Sequence, residues 1–112
     1  MVLSRCLIGS RWNALFDIDA GKAKTAAKAI GPNARGEALD VRDPGAVDAA
    51  MRQVVKTEGR MDILVASAAI LFVTPVLEIE PDDWNRVIGT NLTGLFYCSQ
   101  RAALFPVSDE AR

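Results

Sequence analysis

Histidine is absent from this sequence of 112 residues, and tyrosine occurs once, as Tyr97. Without histidine the chain can hold neither a Ser-His-Asp or Cys-His catalytic set nor a histidine-ligated metal site. The two cysteines, Cys6 and Cys98, lie far apart and do not form the disulfide framework of a small secreted domain. We therefore expect no metal site and no oxidising compartment.

Neither sign of charge dominates, because 13 Lys and Arg face 14 Asp and Glu, and no basic cluster stands out. Nucleic-acid and membrane-surface binding both favour a basic face. The apolar start, residues 1–8, is too short for a membrane span and lacks the three-part design of a signal peptide. We interpret the Asn-Leu-Thr sequon at 91–93 as chance. The sequence predicts a cytoplasmic protein with no nucleic-acid partner and no membrane association.

What the chain does have is apolar content, since half of its residues are hydrophobic. Its length suits one domain and not two, so we expect a single partial domain over residues 1–112. Short apolar runs alternate with longer amphipathic stretches, which is typical of βαβ units in a parallel sheet. The predicted fold class is therefore α/β, with a partial Rossmann-type doubly wound parallel sheet.

The hydrophobic pattern predicts three strands and three helices. The strands cover residues 12–17, 36–41 and 62–66, and the helices cover 20–30, 44–58 and 81–104. Asp43 caps the second helix and Pro44 takes its first position, where the missing N–H costs nothing. Gly59 ends this helix. The strand at 62–66 is apolar on both faces, as expected of a central parallel strand.

Three segments resemble the central strand and the following helix of the short-chain dehydrogenase/reductase family. They are GRMDILV at 59–65, WNRV at 84–87 and NLTG at 91–94. The resemblance extends over residues 12–103 and implies a nicotinamide-dependent oxidoreductase that transfers hydride between alcohols and ketones. It also implies that Asn91 matches the family's catalytic asparagine, which holds a water in a proton relay. Asn91 lies on the apolar side of its helix, where an amide needs hydrogen-bonding partners.

The same resemblance assigns a cofactor site. Asp17 closes a strand, as does the family acid that bonds the adenosine ribose and favours NAD over NADP by repelling a 2′-phosphate. Asp40 and Val41 resemble the family's Asp-Val pair, whose carboxylate bonds adenine. Ala66 and Ala68 stand in a run of small residues where the family has Asn-Asn-Ala-Gly, and they preserve close packing near the cofactor. Each acid also has an ordinary interpretation, Asp17 as a helix cap and Asp40 as a turn residue.

The family's glycine-rich phosphate loop is missing, so cofactor binding is expected to be weak or lost. We interpret residues 1–8 as the end of the first helix, with Gly9 as its C-cap, which gives βαβαβα with the first strand missing. The rival interpretation of residues 5–9 as that strand fails, because parallel neighbours need a long crossover. In the doubly wound order the first strand lies between the second and the fourth. Its loss would leave two unpaired sheet edges.

The family's catalytic serine and Tyr-x-x-x-Lys pair are also missing. Tyr97 and Arg101 imitate the spacing, but they lie on the helix of Asn91 and arginine does not replace lysine faithfully. We interpret Tyr97 as a packing or interface residue, and the tail 104–112 as a premature or frame-shifted end.

Two hypotheses follow from these departures. One is a truncated, inactive oxidoreductase fragment. The other is a non-catalytic interaction module that pairs through the helix 81–104, as a homo-oligomer or with an intact relative. A receiver-type or flavodoxin-like domain is disfavoured, because no acidic cluster lies at the end of a strand.

Overall fold

The computed structural model describes residues 2–7 and 10–105, with side chains from Trp12 onward. The elements are β1 (Val2–Leu7), β2 (Ser10–Asp17), α1 (Ala20–Ile30), β3 (Ala34–Ala38), α2 (Pro44–Glu58), β4 (Ile63–Val65), a 3-10 turn (Val76–Glu78), α3 (Pro81–Ile88), a π-helical segment (Gly89–Gly94) and α4 (Leu95–Ala102). Helices and strands alternate from β2 onward, which confirms the α/β fold class. The proposed Gly9 cap and most of the interpreted chain end, residues 106–112, lie outside the described residues.

The four strands form one sheet in the order β3-β2-β1-β4. β2 and β3 run parallel, with Leu15 opposite Gly36. β1 runs antiparallel to both of its neighbours, β2 and β4. Because β1 is reversed relative to both, β2 and β4 point in the same direction. The sheet therefore keeps the parallel frame of a Rossmann fold and contains one reversed strand.

The helix expected over residues 1–8 is wrong, because Val2–Leu7 is a strand of a hairpin in which Leu7 lies opposite Ser10. A parallel neighbour of β2 would need a long crossover connection, but an antiparallel neighbour needs only a short turn. β1 fills the slot that the doubly wound order gives to the first strand. The expected gap between β2 and β4, with its two unpaired edges, is therefore also wrong.

Local capping signals place the first two helices as predicted. Asp19 caps α1 by accepting a hydrogen bond from the Lys22 amide at 3.2 Å. Asp43 caps α2 by accepting from the amides of Gly45 and Ala46 at 2.9 and 3.1 Å. Gly59 ends α2 at φ +80°, a left-handed conformation that glycine adopts without strain.

β3 and β4 are shorter than predicted, β2 is longer, and β4 is not central. β4 lies at one end of the described sheet, and Ile63 and Val65 are each 48% exposed. Side chains alternate along a strand, so Leu64 packs against the core while its two neighbours point to the other face. Among the described elements, that other face is covered by α1 over β2 and β3 only. The apolar composition of β4 therefore predicted more burial than the strand has.

The main core lies between the sheet and helices α2 and α4. Its members are buried apolar side chains that meet in one cluster: Ala14, Phe16, Leu39, Val41, Val47, Met51, Val54, Met61 and Cys98. On the opposite face Ala23 and Ala27 of α1 pack on the sheet. The two faces together hold the carboxyl ends of β2 and β3 in fixed positions at one edge.

The long helix predicted from Pro81 is present, but its middle is π-helical over Gly89–Gly94. Asp82 and Asp83 lie in its first turn, where the helix dipole favours negative charge. π-helical turns are rare, and they recur at functional sites. No helix in residues 2–7 and 10–105 combines the length and apolar character that a membrane span requires.

Candidate functional site

A cleft opens at the edge where β2 and β3 end and the loop after β4 begins. Parallel strands present their carboxyl ends at one edge of a sheet, and ligands of doubly wound folds bind there. The cleft has a volume of about 430 Å³, and its wall consists of Phe16, Asp17, Ile18, Lys22, Leu39, Asp40, Val41, Arg42, Ser67, Ala68, Ala69, Ile70, Arg86 and Thr90. Four residues predicted for the cofactor site, Asp17, Asp40, Val41 and Ala68, therefore share one cavity.

The fifth, Ala66, does not line this cleft. It borders a much smaller cavity beside it, together with Val41, Ala68 and Gly94. A Cβ on Gly94 would lie 2.6 Å from Val41 Cγ2, so only glycine lets the π-helical segment approach this close. Ala66 therefore belongs to the tight packing behind the cleft, which agrees with the packing role expected of the small residues at 66–69.

Asp17 lies exposed at the end of β2. Its Oδ1 accepts a hydrogen bond from the Asp19 amide at 2.8 Å, and its backbone carbonyl accepts from the Leu39 amide at 2.8 Å. The side chain that caps α1 is Asp19, so the interpretation of Asp17 as the helix cap is wrong. One carboxylate oxygen of Asp17 shapes the turn into α1, at the mouth of the cleft.

Asp40 is held by a single arginine two residues along the chain. Arg42 donates to the Asp40 carboxylate from its backbone N at 3.0 Å, from Nε at 3.0 Å to Oδ1, and from Nη2 at 2.7 Å to Oδ2. These side-chain hydrogen bonds lower the pKa of Asp40 below its usual value, against the smaller opposing effect of burial. The carboxylate is therefore fixed in its ionised form at the cleft wall.

Asn91 lies inside the π-helical segment and binds the backbone of one residue in the loop after β4. Its Nδ2 donates to the Ile70 carbonyl at 2.8 Å, and its Oδ1 accepts from the Ile70 amide at 2.9 Å. They supply the hydrogen-bonding partners that an amide on the apolar side of a helix needs. Ile70 and Thr90 both line the cleft, so Asn91 ties two of its walls together.

Sequence reasoning missed three features of the site. The π-helical segment was expected as regular α-helix, although glycines at both of its ends are a signal of close packing. Arg42 was not considered, although an arginine two residues after a turn aspartate is within reach of it. The third feature is a set of cations, since Lys22 and Arg86 line the same cleft as Arg42. Arg86 lies over the Phe72 ring at 5.0 Å and bonds Asp83 at 3.3 Å.

Tyr97 and Arg101 do not line the cleft. The Tyr97 ring lies 5.9 Å from that of Phe96, and Arg101 Nε lies 3.9 Å from an Asp48 carboxylate oxygen on α2. Within the described ranges no group of three or more His, Cys, Asp or Glu side chains could hold a metal ion. The cleft therefore brings together two carboxylates, Asp17 and Asp40, and the cationic side chains of Lys22, Arg42 and Arg86.

Comparison with known proteins agrees with this arrangement. Residues 13–108 match the family described as enoyl-(acyl carrier protein) reductase. The chain is 42% identical to a galactitol 2-dehydrogenase of Agrobacterium fabrum over 71% of its own length and 31% of the relative's. It is also 42% identical to a 2-dehydro-3-deoxy-L-rhamnonate dehydrogenase (NAD(+)) of a Sphingomonas species, over 82% of this chain and 37% of the relative.

Solved structures give the same result. A 3-ketoacyl-(acyl-carrier-protein) reductase of Brucella melitensis complexed with NADH superposes with a TM-score of 0.73 at 27% identity, over 79% of this chain and 36% of that one. A short-chain dehydrogenase/reductase of the glucose/ribitol dehydrogenase type from the same organism superposes with a TM-score of 0.76 at 28% identity, over 81% and 40%. The chain spans about a third of the length of the curated relatives it matches. By family match, sequence identity and fold, the chain belongs to the short-chain dehydrogenase/reductase family of oxidoreductases.

Proposed function

We propose that the cleft is the adenosine half of a nicotinamide-dinucleotide site, in a truncated and inactive fragment of an NAD(P)-dependent oxidoreductase. The observation that carries this proposal is the convergence of Asp17, Asp40, Val41 and Ala68 on one cleft at the carboxyl edge of the sheet. The name of one relative includes NAD(+), and one superposed structure contains NADH. We further propose that residues 1–112 form a single partial domain that works in the cytoplasm.

The charges in the cleft suit the adenosine end of a dinucleotide. Asp17 would accept from the ribose hydroxyls and repel a 2′-phosphate, which favours NAD over NADP. Asp40 would accept from the adenine amine, and Ala68 would leave room for the cofactor, with Ala66 packed behind the cleft. Lys22 and Arg86 line the same cleft and attract an anionic ligand by their field.

Fewer features of the chain support binding of the dinucleotide's phosphates. A pyrophosphate normally rests on a glycine-rich turn and a helix N-terminus after the first strand. β1 is reversed, so its last residue, Leu7, pairs with Ser10 at the start of β2, at the edge opposite Asp17. Among the described residues no glycine-rich turn reaches the cleft from the slot of β1. Affinity for the whole dinucleotide is therefore expected to be weak.

Catalysis has still less support in this chain. A bound nicotinamide supplies the hydride donor or acceptor, and an acid or base must then move the alcohol proton. Asn91, the one residue that matches the family's catalytic set, holds Ile70 and carries no titratable proton. We expect no turnover of alcohols or ketones with NAD or NADP in a steady-state assay. Turnover that disappears in Tyr97→Phe would show instead that Tyr97 acts as the acid.

A second candidate function is association through the helix 81–104. Five large apolar side chains are exposed along it: Trp84, Leu92, Leu95, Phe96 and Leu104. Apolar patches of more than a few hundred Å² on a soluble protein usually mark an interface or an aggregation hazard. This surface would pair the chain with a second copy or with an intact relative.

Association is tested by placing a charge on this surface. Phe96 is 56% exposed, so Phe96→Asp is expected to reduce the associated fraction without a core defect. Light scattering measures the mass of the particles in solution. The protein concentration is roughly tens of micromolar, well above the dissociation constants of tight dimers. Gln100→Asp adds the same charge at an exposed polar position of α4 and serves as the control. A wild-type chain that stays monomeric under these conditions contradicts the association.

A further inference from the structure

The turn between β3 and α2 contains one side chain whose contacts reach two walls of the cleft. Arg42 lines the cleft, and its fork of N–H groups holds both oxygens of the Asp40 carboxylate. The backbone N–H of Arg42 bonds the same carboxylate at 3.0 Å. A planar guanidinium in this geometry fixes both the position and the plane of a carboxylate, which a lysine ammonium does not.

The aliphatic stem of Arg42 reaches the long helix. A Cβ added to Gly89 would lie 3.5 Å from Arg42 Cδ and 3.8 Å from its Cγ, so the stem lies against the first residue of the π-helical segment. At the other end of that segment, Gly94 lies against Val41. The turn 40–42 therefore rests on both ends of the segment that contains Asn91.

We propose that Arg42 is a positioning residue of the cleft, which orients the Asp40 carboxylate and couples the turn 40–42 to the π-helical segment that holds Asn91. Asn91 in turn holds Ile70, so the contacts continue from Asp40 to the loop after β4. This inference rests on the proposed function where it concerns nucleotide binding. The coupling itself concerns the chain alone.

Several charges other than Arg42 surround Asp40, and their effects must be separated from it. Asp17 and Lys22, from β2 and α1, and Arg86, from α3, line the same cleft, and Glu37 of β3 shares a groove with Asp40. Two of these are anions and two are cations, so their fields on Asp40 oppose one another. Among the described residues only Arg42 bonds the carboxylate. Its removal should raise the pKa of Asp40, whereas removal of Arg52, which does not line the cleft, should not.

The experiment compares Arg42→Ala, Arg42→Lys and the control Arg52→Ala. Arg52 lies on α2 and bonds Asp48 at 2.6 Å, and it does not line the cleft. Three quantities are measured on the whole chain: the titration midpoint of Asp40 by carboxyl NMR, the hydrogen exchange of the Ile70 amide, and the dissociation constant of ADP-ribose. In Arg42→Ala we expect the midpoint to rise, Ile70 exchange to accelerate, and ADP-ribose binding to weaken roughly tenfold.

The conservative variant Arg42→Lys keeps the charge and should give an intermediate midpoint, while Arg52→Ala should match wild type in all three measurements. An unchanged midpoint and unchanged exchange in Arg42→Ala, or tighter ADP-ribose binding, would overturn the positioning role. If wild type does not bind ADP-ribose while Arg42→Ala still shifts Asp40 and Ile70, the proposed function fails and the coupling stands.

Discussion

Replacing Gly36 with alanine is expected to lower the free energy of unfolding by about 3 kcal/mol, at the upper end of overpacking costs. A Cβ at this position would overlap the backbone of Ala23 and Lys24 in α1. Backbone atoms of a helix cannot rotate away as a flexible side chain can, so α1 must shift off the sheet. Chemical denaturation of the purified variant measures the effect.

Gly89→Ala is the matched control for Gly36→Ala. Its Cβ would meet only the Arg42 side chain, with Cδ at 3.5 Å, which is ordinary van der Waals distance. The control should therefore unfold within about 1 kcal/mol of wild type, since alanine also has the better helix propensity. Equal stability of Gly36→Ala and wild type would show that α1 does not pack directly on β3.

The second large effect is expected at Asn91. Asn91→Leu keeps the side-chain volume but removes both hydrogen bonds to Ile70. The Ile70 amide and carbonyl then lose their partners, at a cost of about 2–3 kcal/mol. Denaturation measures the stability, and hydrogen exchange at Ile70 localises the change to the loop after β4.

Asn85→Leu provides the comparison for Asn91→Leu, because Asn85 is exposed on α3 and the same substitution there removes no bond to the loop. Its stability and its Ile70 exchange should equal those of wild type. If both leucine variants behave alike, the amide of Asn91 does not hold the loop.

Local signals in the sequence predicted much of the fold because capping and turn chemistry act over a few residues. Asp43, Pro44 and Gly59 determine the two ends of α2 from within the helix and its flanks. Gly31 ends α1 in the same local way, at φ +125°, a conformation that favours glycine. The family resemblance assigned Asp17 and Asp40 to the cofactor site, and both line the cleft.

The reversed strand β1 could not be predicted in this way. A short segment with four apolar residues in six fits the end of a helix as well as a strand. β1 pairs with β2 on one side and with β4, residues 63–65, on the other. Because β4 is far along the chain, local sequence does not show this pairing. The exposure of Ile63 and Val65 is likewise set by which helices cover the sheet, and not by their own composition.

The contacts that complete the site also depend on tertiary structure. Asn91 and Ile70 are 21 residues apart, so the sequence shows that the amide needs a partner but not which one. The π-helical segment contacts, at Gly89 and more tightly at Gly94, a turn that precedes it by about fifty residues. Neither contact can be predicted from the residue pattern of one helix alone.

The central claim, that the cleft binds the adenosine half of a nicotinamide dinucleotide, is tested most directly by backbone NMR during titration with NAD and, separately, NADP. We expect shifts centred on Asp17, Asp40, Val41, Ala66 and Ala68. NAD should bind more tightly than NADP but more weakly than about 1 µM, or about 8 kcal/mol. Asp17→Ala should remove the preference for NAD. Shifts confined to other surfaces, no shifts with millimolar NAD, or tighter binding of NADP would contradict the account.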